Sequence, residues 1–166
     1  MALTTAQQAT LKTYIEANPT WMAYTHNSDG ALAISQELAL VAVPDLVVWR
    51  SDVSEAEIVG DTSDEATVWD WTVYAGLTRS EQGAYERMFA GGTVDAGKPN
   101  IRQGFVDIFN GPSGADQRTH MAAISKRLAN DLESVFAAGT GTTPDPATME
   151  VEGRISYREV MTVMGW

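Results

Sequence analysis

Along this chain a Ser or Thr repeatedly stands three residues ahead of a Glu or Gln where a helix could start, at Thr4/Gln7, Ser54/Glu57, Thr62/Glu65, Thr78/Glu81 and Ser156/Glu159. In this capping box the hydroxyl accepts from the third backbone N–H of a helix. The Glu or Gln side chain reaches back to the N–H of the capping residue, so two otherwise unpaired donors are satisfied at once. A chain that specifies helix starts this often is expected to be mainly α, with strand confined to short pieces.

Apolar spacing fills in the helices. Leu11, Tyr14 and Ile15 share one face of the first, which stops at Asn18-Pro19. After a short turn over Trp21 to Tyr24 and a second at Asn27-Ser28-Asp29, the residues Ala31, Ile34, Leu38 and Val41 form the stripe of another helix that ends before Pro44. The two are expected to pack as a hairpin. Leu46-Val47-Val48-Trp49 reads as extended. Short helices follow around Val68, Trp71 and Tyr74, and around Tyr85, Met88 and Phe89, and a longer one carries Ile101, Phe105, Ile108 and Phe109. The spacing of Met121, Ile124, Leu128, Leu132, Val135 and Phe136 predicts the longest helix over residues 114–138, roughly 37 Å at 1.5 Å per residue, stopped by Gly139.

The expected architecture is a helical bundle of about six helices organised around that long one. Residues 1–139 form the helical domain. The Thr/Pro/Gly-rich stretch 140–148 has no apolar periodicity and reads as a linker, followed by a C-terminal arm over 149–166 with a short β element at 149–152. Extended at ~3.1 Å per residue, the linker would carry the arm roughly 25–30 Å from its domain. The arm's apolar residues Val151, Ile155, Tyr157, Val160, Met161, Met164 and Trp166 are then the expected partner-binding residues, because Met and aromatic side chains anchor interfaces.

Charge limits the partners. With 22 acidic and 11 basic residues, the net charge is −11, which disfavours general nucleic-acid binding, since Lys and Arg are needed to displace phosphate counterions. Residues 1–78 hold only Lys12 and Arg50 against eleven acids. There is no cysteine, which removes thiolate nucleophiles and zinc-thiolate sites. No membrane span and no secretion signal is expected, so the chain should remain in the cytoplasm where it is made.

Candidate chemistry is sparse. Asp52, Glu55, Glu57, Asp61, Asp64, Glu65 and Asp70 follow one another without an intervening base, but they lack the alternate oxygens, central glycine and twelfth-position glutamate of a calcium loop. They read as a solvated acidic face, and no metal or cofactor is expected. His120 follows Asp116 by one helical turn, and without a nucleophile beside it the pair reads as a surface contact. Lys126-Arg127, with Arg118 nearby, is assigned to the polar face of the long helix. Of the five tryptophans, Trp21, Trp49, Trp69 and Trp71 read as core.

Several segments resemble a known group. The opening Leu3-Thr4-Thr5-Ala6-Gln7-Gln8, then Asn27-Ser28-Asp29-Gly30, Val48-Trp49-Arg50-Ser51-Asp52-Val53 and Lys98-Pro99-Asn100-Ile101-Arg102 carry the likeness. It continues through Lys126-Arg127-Leu128, Phe136-Ala137-Ala138-Gly139-Thr140-Gly141 and Val151-Glu152-Gly153-Arg154-Ile155-Ser156-Tyr157. Over nearly the whole chain the sequence resembles a family of small virion structural proteins of tailed bacteriophages and prophages; residues 54–66 are more acidic than that pattern. The resemblance implies a non-enzymatic virion subunit made in the host bacterial cytoplasm. Its expected place is the head-to-tail connector, as an adaptor in a homo-oligomeric ring of about twelve copies that contacts the portal and other neck or tail proteins. An acidic lumen would let DNA pass without specific binding. A minor tail or capsid-decorating subunit is the alternative, and a hydrolase using the carboxylates of 52–70 and His120 a remote one.

Overall fold

The computed structural model describes residues 3–61 and 68–166. The chain is mainly α, more than half of it helical. In order the elements are α1 (Thr5–Glu16), α2 (Pro19–Met22), α3 (Ser28–Glu37), β1 (Val47–Trp49), β2 (Val53–Ser54), α4 (Glu55–Gly60), α5 (Trp71–Gly76), α6 (Arg79–Met88), β3 (Thr93–Val94) and α7 (Pro99–Ile108). A 3-10 turn at Pro112–Gly114 leads into α8 (Ala115–Ile124), β4 (Lys126–Leu128), α9 (Asp131–Val135), β5 (Ala137–Ala138), β6 (Thr148–Met149) and α10 (Tyr157–Met164). Ten short helices among the described residues thus replace the six expected. Reciprocal capping bonds are present at Thr4/Gln7, Ser54/Glu57, Thr78/Glu81 and Ser156/Glu159. The Thr62/Glu65 pair lies outside the described residues.

Two compact units divide the chain, Met1–Val48 with Leu128–Trp166, and Trp49–Arg127. The second is therefore inserted into the first, and the expected division at 139 and 148 does not hold.

In the first unit Leu11, Ile15, Trp21, Ile34, Leu38, Leu132 and Val160 form the centre of one core. Helix α3 starts where Asn27 Oδ1 accepts from the backbone N–H groups of Asp29 and Gly30 at 3.0 and 3.2 Å. Gly30 is obligatory there, since a Cβ would lie 2.0 Å from the Thr25 carbonyl oxygen. Helix α10 packs on α3 and α1. Strands β5 and β6 pair antiparallel, Ala137 opposite Met149 and Ala138 opposite Thr148.

The proposed long helix over 114–138 is not formed. Helix α8 ends at Ile124, and the chain is extended over Lys126–Leu128 before α9 begins. The reason is a further capping box, at Asn130/Glu133, in which an Asn takes the place of the Ser or Thr. It starts a new helix with Asp131 and Glu133 in its first turn, and the Ala129 N–H is spent on the Leu46 carbonyl at 2.8 Å.

The second unit is built around aromatic side chains. Trp69, Tyr85, Phe89, Phe105 and Phe109 are buried with Val53, Ile58, Val94 and Met121. Trp69 lies at the middle, its ring 5.4 Å from that of Tyr85 and 5.9 Å from that of Phe109. Strands β2 and β3 pair antiparallel, with Val53 opposite Val94.

Candidate functional site

The seven residues expected to reach a partner are in the core of their own unit. Val151, Ile155, Val160 and Met164 are buried in it, and Tyr157, Met161 and Trp166 are partly buried against it. The Trp166 ring stacks on His26 at 4.6 Å between centroids. This corrects the arm. Val160, Val163 and Met164 of α10 supply the cover that the Ala31, Ile34 and Leu38 stripe of α3 requires. The turn at Gly153 is also fastened: Glu133, 1% exposed, accepts from the Gly153 N–H at 2.8 Å and from the Asn130 N–H at 2.9 Å. Asn130 Nδ2 donates to the Gly153 carbonyl at 2.8 Å.

The supposed linker is packed as well. Gly141, Pro146 and Ala147 are buried. The Val47 N–H donates to the Gly141 carbonyl at 2.8 Å and the Ala147 N–H to the Val47 carbonyl at 2.9 Å. With these groups spent on Val47, the segment has no freedom to act as a tether.

What the first unit does expose is an apolar edge. Val43 is 90% exposed, and Leu40 and Val41 beside it are exposed as well. Leu128, also exposed, precedes Ala129, whose carbonyl accepts the Ala42 N–H at 3.0 Å. The four apolar side chains therefore lie on adjoining stretches of backbone. Val41 has the spacing of a helical core stripe, yet α3 ends at Glu37 and Val41 instead bridges to Asn130.

The second unit carries a cleft of about 510 Å³ whose lining includes Trp69, Asp70, Trp71, Ser113, Asp116 and Gln117. Trp71 is 58% exposed and stands edge-on to Trp69 at 5.7 Å. Gln117 is 1% exposed; its Nε2 donates to the Val68 carbonyl at 3.2 Å while its Oε1 has no partner. The Trp69 indole N–H is also unpaired. Asp70 caps α5 by accepting from the Thr72 hydroxyl and N–H, and the Thr72 hydroxyl is the main reason its carboxyl stays below the ordinary carboxylate range. An adjoining cleft of about 320 Å³ shares Val73 and Ser113 and adds Glu81. Trp69 and Trp71 both have the composition of core positions, but only Trp69 is buried. The only signal available was the Trp69-Asp70-Trp71 alternation, which places the two indoles on either side of an acid.

The remaining candidates have structural work. Asp52, Glu55 and Glu57 are exposed, as expected of a solvated face, and Glu57 ties β2 to α4. Its carboxylate accepts from the Ser54 N–H and from Arg50 Nη2 at 2.6 Å, and these bonds, the backbone one first, hold its pKa down at about 2. His120 is not on the surface: it is 2% exposed and its Nε2 donates to the Ile58 carbonyl at 2.6 Å. Lys126 lies on a strand, its ammonium 5.2 Å from the Trp49 ring centre, while the Arg102 guanidinium is at 4.7 Å from the same ring. Among the described residues no group of three His, Cys, Asp or Glu side chains could hold a metal ion, and no helix is long and apolar enough to cross a membrane.

No family model matches the chain, nor does any curated protein or any solved structure.

Proposed function

We propose that this chain is a non-enzymatic structural subunit of a tailed-phage virion, acting as an adaptor in a ring at the head-to-tail junction. The observation that carries an assembly role is the apolar edge of Leu40, Val41, Val43 and Leu128. Isolated exposed apolar residues need no explanation, but several on adjoining backbone form a patch of the kind that marks a contact with another protein. The resemblance carried by Asn27-Ser28-Asp29-Gly30, Lys98-Pro99-Asn100-Ile101-Arg102 and the other quoted segments gives that contact its setting, the virion. Acidic residues outnumber basic ones two to one, which suits a channel that passes DNA without retaining it.

In this reading the lateral contact is the edge of the first unit, and the C-terminal helix belongs to that unit's core. Quantitative mass spectrometry of purified particles tests it. About twelve copies per virion fits a ring, whereas hundreds of copies point to capsid decoration and absence from the particle ends the proposal. Val43→Asp together with Leu128→Asp should leave a folded chain that no longer joins particles.

A further inference from the structure

We propose that Asn110 is a site of spontaneous deamidation in the folded chain, and that the product loosens the connection between α7 and α8. The chain has five asparagines, Asn18, Asn27, Asn100, Asn110 and Asn130. An asparagine deamidates when the backbone nitrogen of the next residue gives up its proton and attacks the side-chain Cγ. That residue must therefore carry an N–H, keep it out of a hydrogen bond and leave the approach unhindered.

The fold denies this to four of them. Asn18 is followed by Pro19, which has no N–H. The side chains of Asn27 and Asn130 are fixed as caps of α3 and α9, and the N–H after Asn130, that of Asp131, is spent on the Leu40 carbonyl at 2.8 Å. Asn100 is inside α7, where the Ile101 N–H donates to the Lys98 carbonyl at 3.1 Å.

Asn110 meets each requirement. It is exposed and lies beyond the end of α7, outside any helix. Gly111 has no side chain to obstruct the approach, and its N–H donates to no acceptor among the described residues. The Asn110 side chain bonds through Nδ2, which donates to the Asp107 carbonyl at 3.0 Å, so the bond involves the leaving nitrogen and not the carbon attacked. As the Gly111 nitrogen joins Cγ, the Cγ–Nδ2 bond breaks and Nδ2 leaves as ammonia, taking up a proton to replace the one Gly111 gave up. Water then opens the cyclic imide at either carbonyl, giving aspartate, or isoaspartate with the backbone routed through the side chain. One water is consumed, one ammonia is released, and nothing is oxidised or reduced.

Both products undo what Asn110 holds. The donor to the Asp107 carbonyl is lost, and a negative charge arrives at the C-terminal end of α7, where the helix dipole disfavours it. Isoaspartate also lengthens the backbone ahead of Gly111, whose carbonyl accepts from the Gly114 N–H at 3.0 Å and from Arg118 Nη1 at 3.3 Å. That turn is tight, since a Cβ on Gly114 would lie 2.3 Å from the Phe109 carbonyl oxygen. Arg118 is the nearby countercharge, but its Nη1 is committed to the Phe109 and Gly111 carbonyls.

The site is independent of the assembly reading, and its test uses the free full chain. The protein is held at mildly alkaline pH with and without guanidinium chloride, and conversion at each asparagine is followed by peptide mass spectrometry. In the folded chain Asn110 should convert ahead of the other four, and faster as pH rises, because the attacking nitrogen must lose its proton. Gly111→Ala separates reactivity from folding: with φ at −67° and nothing nearer to the new Cβ than Ser113 Oγ at 4.0 Å, the alanine fits without strain. Conversion in that variant should fall to the level of the other asparagines. Conversion confined to denaturant, an unchanged rate in Gly111→Ala, or another asparagine converting first overturns the site. Asn110→Asp should lower the urea midpoint and speed hydrogen exchange in peptides of α7 and α8, and by more than Asn110→Ala, which loses the bond without gaining the charge. A midpoint at or above wild type in Asn110→Asp means that Arg118 captures the carboxylate, and it overturns the loosening.

Discussion

Replacing Val160 by Ala tests whether the last helix belongs to the core of its own unit. Val160 is fully buried, among Ala31, Ile34, Leu38 and Leu132. Removing two methyl groups forfeits about 1.6 kcal/mol of transfer free energy at ~0.8 kcal/mol per group, and the cavity left behind adds about 1 kcal/mol. The expected loss is therefore ~1.5–3 kcal/mol, equivalent to a fall of about 3–12 °C in Tm for a chain of this size. Thr162→Ala on the exposed side of the same helix should stay within about 0.5 kcal/mol. Urea unfolding of the isolated chain gives the difference. Hydrogen exchange read by mass spectrometry locates it, since peptides from α3 and α10 should lose protection together. If Val160→Ala unfolds like wild type while exchange in α3 is unchanged, α10 is not held on α3 in the free chain and the arm model returns.

Glu133→Ala should cost about 2–5 kcal/mol in denaturant unfolding, because it strips the acceptors from the Asn130 and Gly153 N–H groups; Glu133→Gln, which keeps one of the two, should cost less. Gly141→Ala combines a backbone at φ +66° with a Cβ placed 1.9 Å from Leu46 Cδ1, and about 2–4 kcal/mol is expected from the left-handed penalty plus overpacking. A Tm equal to wild type would mean that Leu46 moves aside and that the backbone there is not fixed. Glu57 contributes to stability above its ordinary pKa of 4.5, and that contribution fades as pH falls through about 2, because the folded state holds the proton less tightly than the unfolded chain. The gap in urea midpoint between wild type and Glu57→Gln should accordingly shrink between pH 5 and pH 2, and a constant gap would refute the Ser54 and Arg50 bonds as its cause.

The parts of the fold that could be read from sequence are those decided by neighbours three or four residues away. The Ser and Thr capping boxes set four described helix starts, and the Ile101, Phe105, Ile108 stripe gave α7. The extended Leu46-to-Trp49 stretch, written in β-branched and aromatic residues, contains β1. The failures share a cause of the opposite kind. Ile124, Leu128 and Leu132 keep helical spacing, yet Ile124 packs in the second unit, Leu128 is exposed and Leu132 is in the core of the first. A periodic stripe across 114–138 therefore had no single surface to serve, and the Asn130 cap broke it. The tail failed for a related reason, since nothing within residues 149–166 announces that the cover they require lies more than a hundred residues earlier on α3.

The same distinction governs the functional surfaces. An exposed edge is the residue of a count that closes only in three dimensions: Val41 has the spacing of a core position and Val43 the composition of one, and both are exposed because α3 stops at Glu37 and the chain turns to meet Asn130 and Ala129. The cleft depends on still longer separations. Gln117 is held by the Val68 carbonyl, 49 residues away in sequence, and it is this bond that spends the amide Nε2 and leaves Oε1 as the acceptor. Local propensity could not distinguish Gln117 from any polar residue of α8. Once most of the described helix starts are capped and the core stripes covered, the apolar edge of Leu40, Val41, Val43 and Leu128 is what the first unit leaves exposed.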